Sequence, residues 1–321
     1  MSYKLRRCSD NDEWNKFVVT SPQNNIFCRT DFLDALQQNY DIFFVVKGEL
    51  VLLGLLIIKD SNGVPVKEPL EPYMYQGILF SKYFELLSSH KQHKIKLDSI
   101  QFLLIELELI YGSLSLSLHH SLVDVRAFQW HNYHNKKGLK PNLELNYTGI
   151  LRISEIGNFD QILDNSRTVR RQEYRKCIRN GFTTEVSTDV DILNSLHAKT
   201  FSRQGLSRDD LYIGFSPMRL AKESLSKGFG RLLVCRDKQG TPASASLFLF
   251  DDKTAYYLFG ANDPDYRKDG TSGYVVFEQI RHSIEQGLSY VDFMGINSPL
   301  RGDFKLSFNA EPFPFFFFSM K

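Results

Sequence analysis

The 321-residue sequence has only four cysteines, two tryptophans, and no excess of charge of either sign. Cys8, Cys28, Cys177 and Cys235 are scattered with no CxxC pair, which argues against a disulfide framework and favours a reducing cytoplasm. A net charge of +2 supplies no field that would hold nucleic acid, so no DNA partner is expected. Long apolar runs are also missing. The strongest, residues 50–58, falls short of the roughly 20 residues that a bilayer span requires. It is bounded by Lys47, Glu49, Lys59 and Asp60 and reads as a core strand pair turning near Lys47 and Gly48. The opening SYKLRRCSDNDEW has no apolar segment of the signal-peptide kind, so stable membrane insertion is not expected. No Walker loop and no Ser/His/Asp nucleophile pattern is present. His119, His120, His131 and His134 lie close in sequence, but no cysteine joins them and only Asp124 is near, so no metal site is expected.

What is present describes a globular α/β protein. Hydrophobic residues make up 42% of the chain and charged residues 24%, and the length suits two domains with a core each. In the first half, Trp14, Phe17 and Val18 suit an initial helix, and Thr30 with Asp31 suits the cap of a second helix carrying Phe32, Leu33, Leu36 and Tyr40. Residues 42–46 and 50–58 read as a hairpin. Residues 95–111 form a long helix with Ile100, Leu103, Leu104, Leu107 and Ile110 on one stripe. Residues 113–118 alternate Ser and Leu strictly, as a strand with one buried face does. The polar, turn-rich stretch 135–141 is the best boundary candidate and divides the chain into domains 1–145 and 146–321.

The most informative stretch is residues 255–308. Residues 255–260 suit a buried strand, and Asn262, Asp263, Pro264 and Asp265 break it with turn chemistry. A basic, glycine-bearing loop follows, containing Arg267, Gly270, Ser272 and Gly273. Tyr274, Phe277, Ile280, Arg281 and Ile284 then fall at helical spacing, Gly287 suits the helix end, and residues 290–295 read as a second strand. Strand, loop, helix, strand is a βαβ unit, and such a unit can hold a phosphorylated ligand at its helix N-terminus.

The series YYLFGAN, SGYVVFEQIRHSIEQG, VDFMGI and GDFKLSFN resembles the C-terminal half of the FemAB-like peptidyltransferases and the related GNAT-superfamily acyltransferases. The resemblance covers roughly residues 146–321. It implies an α/β (α+β) fold of two tandem GNAT-like domains, each a mixed, mostly antiparallel sheet flanked by helices. It also implies an acyltransferase, with no tightly bound cofactor and acyl-CoA (acetyl-CoA) as co-substrate. The acetyl-CoA enzymes of that superfamily carry Arg/Gln-x-x-Gly-x-Gly/Ala as a diphosphate cradle. Arg267, Gly270 and Ser272 fill that spacing here, with Ser272 at the last small position and Gly273 beside it. The same residues also suit a plain strand-to-helix turn with Ser272 as N-cap.

Acyl transfer to an amine needs a proton acceptor and a donor for the developing oxyanion. By resemblance Lys305, in Asp303-Phe304-Lys305, lies beside the reacting centre; by composition alone it reads as a surface lysine between Phe304 and Phe308. Asp292, between Val291 and Phe293, is the second catalytic candidate, as base or as a carboxylate that positions Lys305. Residues 166–181 suit a helix with Val169, Tyr174, Cys177 and Ile178 on an apolar stripe and a heavily cationic remainder. Arg170, Arg171 and Arg175 read either as a phosphate- or carboxylate-binding patch or as a solvated helix face. Arg203 and Gln204 read either as a pair that grips a polar acceptor or as a helix end closed by Gly205.

Two donors fit this pattern, acyl-CoA and, as in the peptidyltransferase branch, aminoacyl-tRNA. The implied acceptor is a small-molecule amine: an amino sugar or nucleotide-linked sugar of a surface polysaccharide or cell envelope, or, with aminoacyl-tRNA, a peptidoglycan precursor. A catalytically silent binding module on the same fold is the third reading.

Overall fold

The computed structural model describes residues 2–66, 72–135, 137–205 and 215–320. The chain divides into two compact units: Met1–Asn146 together with Pro314–Lys321, and Tyr147–Phe313. The sequence places 146–321 in one domain. The terminal segment groups with the first unit instead, because its Phe317–Met320 stretch pairs antiparallel with Leu114–Ser117.

In the first unit, β1 (Tyr3–Cys8), β2 (Asn39–Lys47), β3 (Leu50–Lys59) and β4 (Leu79–Phe80) form an antiparallel sheet in that order. The hairpin turns at Gly48, whose φ of 63° suits a residue without Cβ. Helix α1 (Asn11–Thr20) buries Trp14 and Val18 and is capped by Asp10, whose side chain accepts from the Asp12 and Glu13 amides. Helix α2 (Thr30–Leu36) follows Arg29, and Thr30 is buried rather than capping it. The buried apolar faces of the strands meet α3 (Ser89–Tyr111) through Ile100, Leu103, Leu104 and Leu107. Ile110, expected on that stripe, is 51% exposed. Helix α4 (Arg126–Trp130) covers the C-terminal part of α3.

Strand β5 (Leu114–Ser117) is buried on both faces, where alternation suggests one buried face. Its Ser117 is covered by the segment before β4. Ser117 donates through Oγ to Met74 O at 2.5 Å and through its amide to Gln76 Oε1 at 2.9 Å. Serine is small enough to satisfy its hydroxyl on a passing backbone, so a polar face can be an interior face.

In the second unit the strand order is β6–β11–β10–β9–β8–β7. These are β6 (Pro141–Leu151), β7 (Thr183–Ser187), β8 (Gly230–Arg236), β9 (Pro242–Phe250), β10 (Thr254–Asn262) and β11 (Tyr290–Gly295). β7 to β10 form an antiparallel meander, and β10 and β11 run parallel. Three short-to-medium helices precede β7: α5 (Ile153–Ile156), α6 (Phe159–Asn165) and α7 (Thr168–Arg179). Helices α8 (Val190–Gln204) and α9 (Pro217–Ser226) pack on the meander, and α10 (Thr271–Glu285) is the crossover of the expected βαβ unit. Its face Tyr274, Phe277 and Ile280 is buried against Phe159, Tyr174, Phe293 and Phe308. Burial of each such aromatic is worth about 1.5–3 kcal/mol, which makes this helix a strong anchor. The Asp303-Phe304-Lys305 motif lies in helix α11 (Pro299–Leu306), and β12 (Glu311–Met320) ends the described chain.

Candidate active site

Strands β10 and β11 are laddered only over Thr254–Tyr256 and Tyr290–Asp292. Each then loses regularity. The β10 register shifts between Tyr257 and Phe259, and β11 shifts between Asp292 and Gly295, with Met294 at a φ of 60°. The last part of β10 follows β9, and Gly295 pairs with Thr148 of β6. Beside the irregular end of β10, against Ala245 of β9, a cavity of about 420 Å³ opens. Its walls come from the end of β10, the loop after it, the first turn of α10, and helices α7, α8 and α11.

Four residues named from sequence as a cradle all line this cavity: Arg267, Gly270, Ser272 and Gly273. The loop is a 3-10 turn, Pro264–Asp269, capped by Asp263, whose side chain accepts from the Asp265 amide. Asp263 is in turn gripped by Lys199 of α8, Nζ to Oδ2 at 2.5 Å, and Thr200 exchanges hydrogen bonds with the Asn262 backbone. The N-cap of α10 is Gly270, in the left-handed region at φ 81°, rather than Ser272. A left-handed cap with no Cβ leaves the first amides of α10 without a capping side chain, and no acidic residue lies in that turn.

Glu173 of α7 lies over that turn without capping it. Its Oε2 stands 2.6 Å from Arg170 Nη1, and the pair is well shielded, with side chains 22% and 16% exposed. An added Cβ at Gly270 would meet Glu173 Cβ at 2.5 Å, and one at Gly273 would meet Glu173 Oε2 at 2.7 Å. The two glycines are therefore covered by a carboxylate of the protein itself. Burial pushes the Glu173 carboxyl up and the Arg170 guanidinium down, each against their mutual attraction. Glu173 Oε2 and Arg170 Nε are buried without a hydrogen-bond partner. Arg170 also lies over the Phe304 ring, 5.0 Å from its centroid.

The basic helix does not act as one patch. Arg171 donates to Asp164 O and Thr168 Oγ1, and Arg175 faces the Asp164 carboxylate at 3.6 Å. Neither lines the cavity; only Arg170 of the three does. Successive helix positions are about 100° apart, so Arg171 and Arg175, four residues apart, share a face that is turned away from Arg170. The expected apolar stripe narrows to Tyr174 and Cys177, with Ile178 53% exposed. Arg203 reaches the cavity from the end of α8, and among the described residues neither it nor Arg267 has a carboxylate partner. The Gln204 side chain lies outside the described residues, and Gly205 closes α8 in the left-handed region at φ 66°.

Asp292 and Lys305 stand off the lining. Asp292 is 1% exposed and accepts through Oδ1 from Thr148 Oγ1 at 2.5 Å and from the Met294 amide at 2.7 Å. Both bonds fall on Oδ1 and tie the irregular end of β11 to β6. Lys305 donates Nζ to Gly295 O at 2.8 Å and lies 5.9 Å from the Tyr257 ring centroid. Its neighbours Tyr257 and Phe304 form the wall in front of it.

Sequence reading misses Glu173, Tyr257 and Thr200, all of which line the cavity. Burial holds the Tyr257 phenol well above its usual value, so it is a neutral hydrogen-bond donor at physiological pH. A side chain at Gly260 would collide with the Tyr257 hydroxyl, which explains the glycine after this aromatic run. The one legible sign of Glu173 is that it is the single acid in an otherwise basic stretch, three residues after Arg170. Of the histidines singled out from sequence, His131 pairs with Glu108 at 2.7 Å, His119 and His120 pack on Tyr75, and His134 packs on Tyr133. Among the described residues no group of three His, Cys, Asp or Glu is placed to hold a metal, and no helix is long and apolar enough to cross a membrane.

Comparison with known proteins bears on the family and the fold. Residues 165–306 match the family described as acetyltransferase (GNAT) domain. Comparison with curated proteins gives no match. Among solved structures, FemX superposes with a TM-score of 0.68 at 15% identity, covering 98% of this chain and 97% of that one. The C-terminal domain of a putative lysylphosphatidylglycerol synthetase from Agrobacterium fabrum gives 0.54 at 12% identity, with 97% and 92% covered. A tandem GNAT protein from the clavulanic acid biosynthesis pathway gives 0.50 at 10% identity, with 100% and 98% covered. At these identities the structures speak to fold. Residues 165–306 thus match a GNAT-type acetyltransferase domain, carried in a chain whose fold is like those of FemX and the tandem GNAT protein.

Proposed function

We propose that the chain is an N-acyltransferase that moves an acyl group from acyl-CoA to a small-molecule amine, an amino sugar or nucleotide-linked sugar of a surface polysaccharide or cell envelope. The observation that carries this reading is the convergence of Arg267, Gly270, Ser272 and Gly273 with Arg170, Arg203 and Tyr257 on one cavity of the GNAT domain. Arg267 and the first turn of α10 would take the donor's diphosphate, through a guanidinium fork and the helix dipole. Arg203 would take a phosphate or carboxylate of the acceptor. Attack by the neutral amine forms the C–N bond and puts negative charge on the acyl oxygen; collapse breaks the C–S bond, and the proton lost by the amine ends on the departing thiolate, so the products are the amide and coenzyme A. The neutral Tyr257 hydroxyl and the Lys305 ammonium, reached through a short movement of the wall, are the donors for that charge. Four buried, unpaired cysteines support a cytoplasmic setting for this chemistry.

A second reading, transfer from aminoacyl-tRNA to a peptidoglycan precursor, draws support from Glu173, which covers the glycines that a diphosphate would need. The test is acetyl-CoA-dependent acylation of amino sugars and nucleotide-linked amino sugars, followed by mass. Lys305→Ala is expected to lower kcat about 100-fold while the fold is retained, the usual effect of removing one oxyanion donor. Unchanged turnover in that variant removes Lys305 from the mechanism, and acylation with aminoacyl-tRNA alone selects the second reading.

A further inference from the structure

We infer that Glu173 is the specificity-determining residue of the cavity: its carboxylate occupies the anion position at the start of α10, so that a diphosphate enters only by displacing it. The inference rests on the proposed placement of the donor, but it concerns this chain's own carboxylate. Three independent observations meet at this point. Gly270 and Gly273 lie directly beneath the Glu173 side chain, where a methyl group would clash with it. Helix α10 is 15 residues long and begins with neither a capping side chain nor an acid in its first turn, so, among the described residues, the only carboxylate lining the cavity there is the one α7 lays over it. Finally, Glu173 Oε2 and Arg170 Nε, shielded inside the cavity wall, keep unused hydrogen-bonding capacity.

A carboxylate that accepts nothing beyond its Arg170 ion pair is held less firmly than one gripped by an amide and a hydroxyl, such as Asp292. It is the element that can turn out of the way. When it does, Arg170 loses its counter-ion and is left free to meet an incoming anion, so a single rotation removes a negative charge from the site and releases a positive one. Resting, the pair disfavours polyanions. Displaced, it favours them. The wild-type affinity for a diphosphate is then the net of these two states.

The experiment is calorimetric titration of inorganic pyrophosphate into the full chain, its Glu173→Gln variant and its Glu173→Asp variant, at one pH and ionic strength. Glu173→Gln keeps the shape over the glycines and removes the charge. It is expected to bind pyrophosphate about tenfold or more tightly than wild type, the effect of deleting one like charge at a few ångström. Glu173→Asp keeps the charge and is expected to stay near wild type. Equal affinity across all three, with thermal melts showing folded protein, overturns the inference, as does tightening by both variants, which would make packing rather than charge the cause. If Glu173→Gln does not fold, tightening by Glu173→Asp alone likewise overturns it. Pyrophosphate reports on the gate without an acyl group. Tightening in a protein that fails to turn over acetyl-CoA would refute the donor assignment and keep the gate, and turnover without tightening would do the reverse.

Discussion

Asp251, in the turn between β9 and β10, shows how one buried side chain sets a pH dependence remote from the cavity. Burial pushes its carboxyl up to about 6, against hydrogen bonds from the Lys253 and Thr254 amides and the Tyr256 hydroxyl. A folded-state value above the unfolded one means that the protonated form is favoured in the fold. The contribution is complete below about pH 4, the unfolded carboxyl range, and is lost as pH rises through about 6. Integrated over that window it amounts to about 3 kcal/mol. Asp251→Asn keeps the acceptor oxygen and supplies a permanent donor to Tyr256. Denaturant melts at pH 4 to 8 should show wild type losing stability across this window, while the variant does not and equals or exceeds wild type at pH 8. A variant less stable at pH 8, with the same slope as wild type, would contradict this.

The same scale shows what single residues reveal in sequence. Gly270 and Gly273 are legible as positions where something must come close. That the approaching group is Glu173 rather than a ligand depends on α7 lying across the start of α10, which no local pattern encodes. Asp292 is legible as a buried acid but not as one already gripped, because its partner Thr148 is supplied by a distant strand.

Among the elements, the βαβ unit of β10, α10 and β11 is read almost residue for residue, since its periodicity changes sharply from strand to helix to strand. The meander, the β2–β3 hairpin and α3 are equally plain. Less legible are elements whose polar residues are buried, such as β5, and helices whose cationic face is divided among partners, such as α7. Long-range polar ties are the reason. Asp41 of β2 is a clear case: it accepts from Arg7 of β1, from Lys59 Nζ of β3 at 2.9 Å and from Tyr111 Oη of α3 at 2.5 Å. Burial pushes this carboxyl up, but Tyr111, Lys59 and Arg7 together outweigh it and hold it below its usual value. Asp41→Ala would strand a lysine and a tyrosine against a nearly buried site and should cost about 2–4 kcal/mol in urea unfolding. A loss below about 0.5 kcal/mol, the range of ordinary surface changes, would show that the hub contributes nothing.

For the molecule as a whole, composition and the order of motifs in the second half indicate the fold class and the GNAT character of residues 165–306. The allocation of the last residues is different. An aromatic terminal strand is visible as a strand, but its pairing with β5, more than 190 positions away in the chain, is a tertiary choice between partners of similar apolar character. The cavity is likewise a consequence of assembly. Seven separate segments contribute its walls: β9, β10, the loop after β10, the start of α10, and helices α7, α8 and α11.

The central claim, that this cavity receives an acyl-CoA donor through Arg267 and the start of α10, is tested most directly by calorimetric titration of coenzyme A and acetyl-CoA into wild type and Arg267→Ala. The account predicts saturable binding of both ligands to wild type, weakened about tenfold or more by Arg267→Ala through loss of the guanidinium–phosphate fork. No saturable binding of either ligand to folded wild type, or equal binding to both proteins, would contradict it.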